Sequence, residues 1–291
     1  MSLSVNTNVG AATALQALNA TQRGLSTVQS RINTGLNVAS TKDDSAAYTI
    51  AQNLRGDLGG LKAVSSSLSN AKSVSDVAVA GAEQISDIVN QMKTLAKQAS
   101  DGTISDDTRT QYNNDFKALR DQITTIVNSS SFNGVNLLKT SGGSVSALQS
   151  LTSTASSGTY SPDTLTVNNQ ALDLPTNGTT SSGPGTGVFG KDTELTDLAT
   201  SKQVVDTLDT FAKKVNTTLS DLGAASRKID AQSVFTSKLS DTIESGISNL
   251  VDADLAKESA KLQALQVKQQ LGVQALSIAN QAPQTIISLF R

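Results

Sequence analysis

The chain has 291 residues, a net charge of −2, 37% hydrophobic and only 3% aromatic residues, and no Trp, Cys or His. Without Cys or His there is no disulfide, no thiolate nucleophile, no Ser-His-Asp triad and no His-based zinc site, and nothing calls for a cofactor. The near-neutral charge gives no electrostatic case for nucleic acid or an anionic membrane, and the scarcity of aromatics favours thin helix-on-helix packing.

The first residues carry neither a basic region nor an apolar run, so no Sec-type signal peptide is expected. No apolar run approaches the ~20 residues needed to span a bilayer, which argues against membrane insertion. A first helix is predicted from about Asn8 to Leu36, with Gly35 at its stop. Its seam comprises Leu18, Leu25 and Ile32 at seven-residue steps, with Leu15 and Leu36 alternating. Thr41-Lys42-Asp43-Asp44 fits a capping box opening a second helix. That helix reaches about Ala99, with Ile50, Leu54, Leu58 and Leu61 near its start and Ile85, Ile88, Met92 and Leu95 near its end. Gly56, Gly59, Gly60 and Gly81 weaken it by ~1 kcal/mol each relative to Ala. Beyond the turn at Asp101-Gly102, Tyr112, Phe116, Leu119, Ile123 and Ile126 mark a third apolar seam.

Helical patterning dissolves after Ser129. The stretch from Thr140 to Gly190 is rich in Ser, Thr and Gly and contains Pro162, Pro175 and Pro184. Within it, Leu165 and Val167, the turn-prone Asn168-Asn169-Gln170, and Leu172 and Leu174 read as a β-hairpin. Helix resumes near Asp192 with Val205, Leu208, Ala212, Val215, Leu219 and Leu222, and an interruption is expected near Gly223. The last helix carries Val251, Leu255, Leu262, Leu265 and Leu276, and Pro283 ends or kinks it.

A helix with a narrow apolar seam wants a partner helix. Seams at opposite termini therefore predict a mainly α fold: a long antiparallel coiled-coil bundle of paired N- and C-terminal segments, with a small β-hairpin and loop insert. The expected division is 1–40 with 250–291 as a terminal coiled-coil domain, 41–139 with 191–249 as a helical bundle, and 140–190 as a surface insert. Three motifs carry less than they promise. Gly185-Thr-Gly187-Val-Phe-Gly190 matches the dinucleotide fingerprint but follows loop sequence rather than a strand. Ser69 and Lys72 match a Ser-Lys nucleophile pattern without its companion boxes. Asp252, Asp254 and Glu258 lack the glycine and further oxygens of a calcium loop and read as a helix start or surface acids. Periodicity alone supports an all-α bundle, and the physics of the sequence stops at a helical structural or interaction protein.

Residue strings go further. Asn6-Thr7-Asn8, Arg31-Ile-Asn-Thr-Gly35-Leu36 and Lys42-Asp43-Asp44-Ser-Ala resemble the amino-terminal signature of bacterial flagellin, and Phe132-Asn133-Gly134 with Leu137-Leu138 resembles the close of its helical region. Leu222-Gly223-Ala224, Ala279-Asn280-Gln281-Ala-Pro283-Gln284 and Leu289-Phe290-Arg291 resemble the carboxy-terminal signature. The resemblance implies a subunit that self-assembles into the hollow filament of the bacterial flagellum. It also implies passage through the flagellar type III export apparatus with an export chaperone, an extracellular location, and contact with filament cap and junction proteins. The hook–filament junction protein, which shares such terminal helices, is the alternative. The terminal seam residues would then pack in the filament. Flagellins sensed by the toll-like innate immune receptor resemble L-Q-R-x-R-E-L-A-x-Q where this chain has Asn90 to Gln98. The contacting Arg falls on Gln91, Leu95 is kept, and the contacting Glu falls on Gln122, so weak receptor activation is expected.

Overall fold

The computed structural model describes residues 8–153, 161–175 and 188–289. Five helices and two strands follow in order: α1 (Val9–Thr34), α2 (Ser45–Ala99), α3 (Asp106–Ser129), β1 (Val145–Ser153), β2 (Pro162–Val167), α4 (Leu198–Val251) and α5 (Leu255–Leu289). The chain forms two compact units, Met1–Leu58 with Asp241–Arg291, and Gly59–Ser240. The sequence suggests three divisions, 1–40 with 250–291, 41–139 with 191–249, and 140–190. The observed boundaries fall within α2 and α4, and the insert belongs to the second unit.

In the unit Gly59–Ser240 the apolar seams of α2, α3 and α4 meet in one core. Leu68, Ile85, Ile88 and Met92 from α2, Phe116 and Ile123 from α3, and Leu208 and Leu222 from α4 are fully buried. Few aromatics are available, and three of them cluster. Phe189 stands edge-on to Phe116 at 6.2 Å and tilts against Phe211 at 5.1 Å, both favourable ring geometries. At Gly81 the segment after α3 packs tightly against α2. A Cβ there would lie 2.3 Å from Ser130 Oγ and 2.9 Å from Leu138 Cδ1, so the missing side chain makes room for Leu138.

The hairpin is built from other partners than the sequence predicts. β2, containing Leu165 and Val167, pairs antiparallel with the preceding β1, from Val145↔Val167 to Ser153↔Pro162. Leu172 and Leu174 are instead buried outside any strand. The Asn169 amide explains this: its Nδ2 reaches the carbonyls of Asn136, Lys139 and Gly143, while its Oδ1 accepts the Ala171 N–H. With the Leu172 N–H bonded to the Leu138 carbonyl at 2.6 Å, the segment after β2 is tied to 136–143 and does not fold back on the strand.

Helix boundaries shift for similar reasons. α4 begins after Asp197, whose Oδ1 accepts the Thr200 N–H at 2.8 Å, and not near Asp192. The Leu195 N–H is occupied by Asn113 Oδ1 at 2.7 Å, and Leu195 is buried. Gly223 does not interrupt α4; the break falls at 252–254. At the start of α2, Asp44 itself is the cap, accepting the Ala46 and Ala47 N–H groups, so Thr41 does not form the expected box. α5 runs past Pro283 to Leu289, so the proline does not end it. The rest of the G-x-G-x-x-G run, Gly185 to Gly187, lies outside the described residues.

Arg109 closes the α2–α3 turn from inside. Its Nε donates to the Ala99 carbonyl at 3.1 Å and its guanidinium also reaches Asp106 and the Asp101 carbonyl, with the side chain only 7% exposed. A cation at the end of α2 suits the partial negative charge there. Arg109→Ala should lower the unfolding free energy by about 2–3 kcal/mol, the worth of a charged hydrogen-bonding group lost from a buried position, as read by denaturant titration. By contrast Ser75→Ala should be neutral or slightly stabilising, because the buried Ser75 Oγ has no hydrogen-bond partner.

Candidate assembly surface

The other unit is organised by α1 and α5, which lie antiparallel. α1 starts at Asn8, whose side chain accepts the Ala11 N–H at 2.9 Å, and stops at Gly35, which adopts the left-handed conformation at φ 71°. That conformation favours glycine and turns the chain out of the helix. The inner stripe of α1 is Ala11, Ala14, Leu18, Thr21, Leu25, Val28 and Ile32, all shielded and at alternating steps of three and four. The matching stripe of α5 is Glu258, Leu262, Leu265, Gln269, Gly272, Leu276 and Ala279. Such a three-four alternation is the seam of an antiparallel coiled coil.

Cross-contacts fix the alignment. Asn8 Nδ2 donates to the Ala279 carbonyl at 2.7 Å, Gln269 Nε2 donates to Gln22 Oε1 at 3.0 Å, and Arg31 pairs with Glu258 at 3.6 Å. Two glycines let leucines seat. A Cβ on Gly24 would meet Leu265 at 3.4 Å, and one on Gly272 would meet Leu18 at 3.3 Å. Beyond Gly35 the two helix breaks are clasped backbone to backbone. The Asn37 and Val38 N–H groups donate to the Val251 carbonyl, and the Ala253 N–H donates to the Gly35 carbonyl at 2.9 Å. Behind the clasp, Val38, Ala51, Ile247 and Val251 form a small buried core, with Leu36 packed against it.

Glu258 is the unexpected member. Rather than a surface acid it is 4% exposed, held by Lys261 at 2.6 Å and by Arg31, with Oε2 unpartnered. The Lys261 hydrogen bond, with help from the charges of Lys261 and Arg31, holds its carboxyl below the ordinary 4.5 despite burial. Asp254 caps α5 by accepting the Ala256 and Lys257 N–H groups, and no group of acids among the described residues could hold a metal. Lys72 is engaged by Asp76, Ser226 and Asp230 while the Ser69 hydroxyl donates to the Ser65 carbonyl, so the two form no nucleophilic pair.

Of the predicted seam residues, Leu18, Leu25, Ile32, Leu262, Leu265 and Leu276 lie on the α1–α5 stripes, and Leu36 and Val251 lie at the clasp. Leu15 and Leu255 do not: they are 48% and 50% exposed, Leu15 being turned outward beside Ala14. On α5, Val267, Leu271, Val273 and Ile278 are each more than half exposed, and Val267, Leu271 and Ile278 lie on the face opposite the α1-facing stripe. Sequence reasoning misses Val28, Glu258 and the glycines, although the spacing of Val28 between Leu25 and Ile32 is a usable signal. In the other unit, Gln91 on α2 and Gln122 on α3 are exposed, and Leu95 is half-buried against the core.

No helix among the described residues is long and apolar enough to cross a membrane. A helical protein whose two ends pair along a narrow seam, with an apolar row left open on α5, has the layout of an interaction or assembly subunit. Residues 5–142 match the bacterial flagellin N-terminal helical region and residues 205–290 match the bacterial flagellin C-terminal helical region. Among relatives, flagellins FljK and FljM of Caulobacter vibrioides are 42% and 41% identical, each over 99% of this chain and 98% of their own length. A flagellin of Brucella melitensis is 35% identical over 99% of both chains. The chain belongs to the bacterial flagellin family. It is a structural subunit of the bacterial flagellar filament, and the junction-protein alternative is not favoured.

Truncating Leu25, only 6% exposed, to Ala should destabilise the terminal unit by roughly 2–5 kcal/mol. Hydrogen exchange of α1 and α5 amides measures this. The Glu258 carboxyl is more acidic folded than unfolded, so its contribution is complete above about pH 4.5 and fades as pH falls through the folded value. An acid titration followed by circular dichroism should therefore be shallower in Glu258→Gln than in the parent.

Proposed function

We propose that the open apolar face of the terminal helices is the surface through which copies of the chain pack into the filament, with α1–α5 forming its terminal coiled-coil element. The observation that carries this reading is the row Val267, Leu271 and Ile278, spaced at helical intervals and each over half exposed in the single chain. An apolar stripe of this kind on a well-formed helix marks an interaction face. Ordering terminal helices costs roughly 1–2 kcal/mol per residue in backbone entropy, and burial between subunits offsets it.

The reading extends to the chain's route and partners. The subunit leaves the cell through the flagellar type III export apparatus, guarded by a chaperone, and works outside the cell between junction and cap proteins. Its chemistry suits passage through a narrow channel, since a chain without cysteine forms no disulfide on the way. It performs no catalysis. The terminal domain, helical bundle and surface insert expected from the sequence serve assembly, support and exposure in that order.

Two experiments test this. Electron microscopy of full-length protein beside a copy trimmed of 1–36 and 255–291, both incubated with filament seeds, should give long tubes from the full-length protein only. Leu271→Asp should abolish elongation while leaving the melting temperature of the free chain near the parent value. Tubes from the trimmed copy, or normal growth of Leu271→Asp, would remove the terminal helices from assembly.

The same reading bears on recognition by the toll-like innate immune receptor. Gln91 and Gln122 are exposed and uncharged where sensed flagellins resemble Arg and Glu. Each charge-assisted hydrogen bond lost removes about 1.5–3 kcal/mol. The monomer should stimulate receptor-expressing cells weakly, and the double change Gln91→Arg with Gln122→Glu should raise the response. A parent response at the dose of a typical sensed flagellin refutes this.

A further inference from the structure

We infer that the Arg31–Glu258 pair discriminates against slid registers when α1 and α5 zip together, acting as a positioning element for the terminal coiled coil. The inference rests on the filament reading above for its biological use, but its physical content concerns the single chain.

The clasp and the Asn8–Ala279 contact anchor the two ends, but between them side-chain discrimination against a slide falls mainly to this pair. The apolar stripes are permissive, because a slide of one heptad would again set Leu262, Leu265 and Leu276 against the Ala, Leu and Val positions of α1. The clasp at Gly35–Val38 and Val251–Ala253 is made of backbone N–H and carbonyl groups, which do not distinguish one side chain from another. The Gln22–Gln269 hydrogen bond lies at the solvent-exposed edge of the seam, where water can replace it. Among the described residues, Arg31–Glu258 is the one ion pair across the seam.

The pair also penalises the wrong alignment. Glu258 has a side chain only 6% exposed, and Arg31 is its one cationic partner from the opposite helix. Lys261 sits on α5 itself and moves with Glu258, so it cannot report on α1. A one-heptad slide brings Glu258 opposite Gly24, which has no side chain to offer, or past the end of α1 at Val38, which belongs to an apolar core. Either way a shielded carboxylate loses its cross-helix partner while one of its oxygens is already unpaired. Lys261 stays with Glu258, but a shielded carboxylate that loses one of its two cations is less stable, and single polar pairs specify alignment in coiled coils for this reason.

The absence of cysteine makes the chain a clean background for the test. In-register pairing is reported by Gln22→Cys with Gln269→Cys, and slid pairing by Gln22→Cys with Leu262→Cys or with Leu276→Cys. Each reporter is oxidised in the free full-length chain and in seeded filaments, in four backgrounds: parent, Arg31→Glu, Glu258→Arg, and both together. The parent should form the in-register disulfide predominantly. Each single reversal should cut in-register yield relative to slid yield about tenfold, a moderate coupling for charges in contact. The double reversal should restore the in-register product, which a merely structural loss of packing would not do. Single reversals that cross-link like the parent, or a double reversal that fails to recover, would overturn the inference. A parent that cross-links in register yet never elongates seeds would count against the filament reading alone.

Discussion

A long helix with one narrow apolar stripe is unstable as a free object, and the architecture of the terminal unit follows from that constraint. α1 offers a stripe dominated by Ala, Leu, Val and Ile, and α5 answers with Leu, Gly and Ala. Neither stripe includes an aromatic residue, so the interface is thin and supplies limited buried area. The close approach of Leu18 to Gly272 and of Leu265 to Gly24 recovers packing that larger residues would provide elsewhere. At one end the pairing is anchored by the clasp and its small core; along the rest only Leu25 and Val28 on α1 are fully shielded apolar residues. Stability in this unit is therefore graded, greatest at the clasp.

The unit Gly59–Ser240 works differently. It has a continuous core spanning three helices and the strand pair, with polar side chains stitching the irregular segments to it. Asn113, Asn136 and Asn169 satisfy backbone groups that no ladder or helix reaches. Buried backbone polar groups must be paired somewhere, and here side-chain amides do what a larger sheet would do in another fold. One unit thus has a continuous core of its own and the other only a thin seam and a small core at the clasp.

Much of this is legible in the sequence where period and punctuation agree. Asn8 and Gly35 mark the ends of α1, and the seam of α3 is buried at Phe116 and Ile123. The failures have physical causes. Leu15 looks like a seam residue because hydrophobicity alone does not say which face of a helix a residue occupies, and Leu255 keeps the seam spacing but is the exposed first residue of α5. Ala14, one position from Leu15, is the inward residue because the partner helix is close. Glu258 looks like a surface acid because its cationic partner lies more than two hundred residues away in sequence. Asn168-Asn169 has the composition of a hairpin turn, but the Asn169 amide bridges three carbonyls of an earlier loop instead. In each case a tertiary partner outvotes a local pattern.

Glycines in α2 illustrate how one residue type can carry unlike information. A Cβ on Gly56 or Gly59 would meet nothing within 4 Å, whereas one on Gly81 would collide with Ser130 and Leu138. The first two are free to drift, and most small replacements there would strengthen the helix. At Gly81 the helix gives up intrinsic propensity so that a distant segment can sit against it. Substitution at that position would be felt first in the loop after α3, far along the sequence from the change itself.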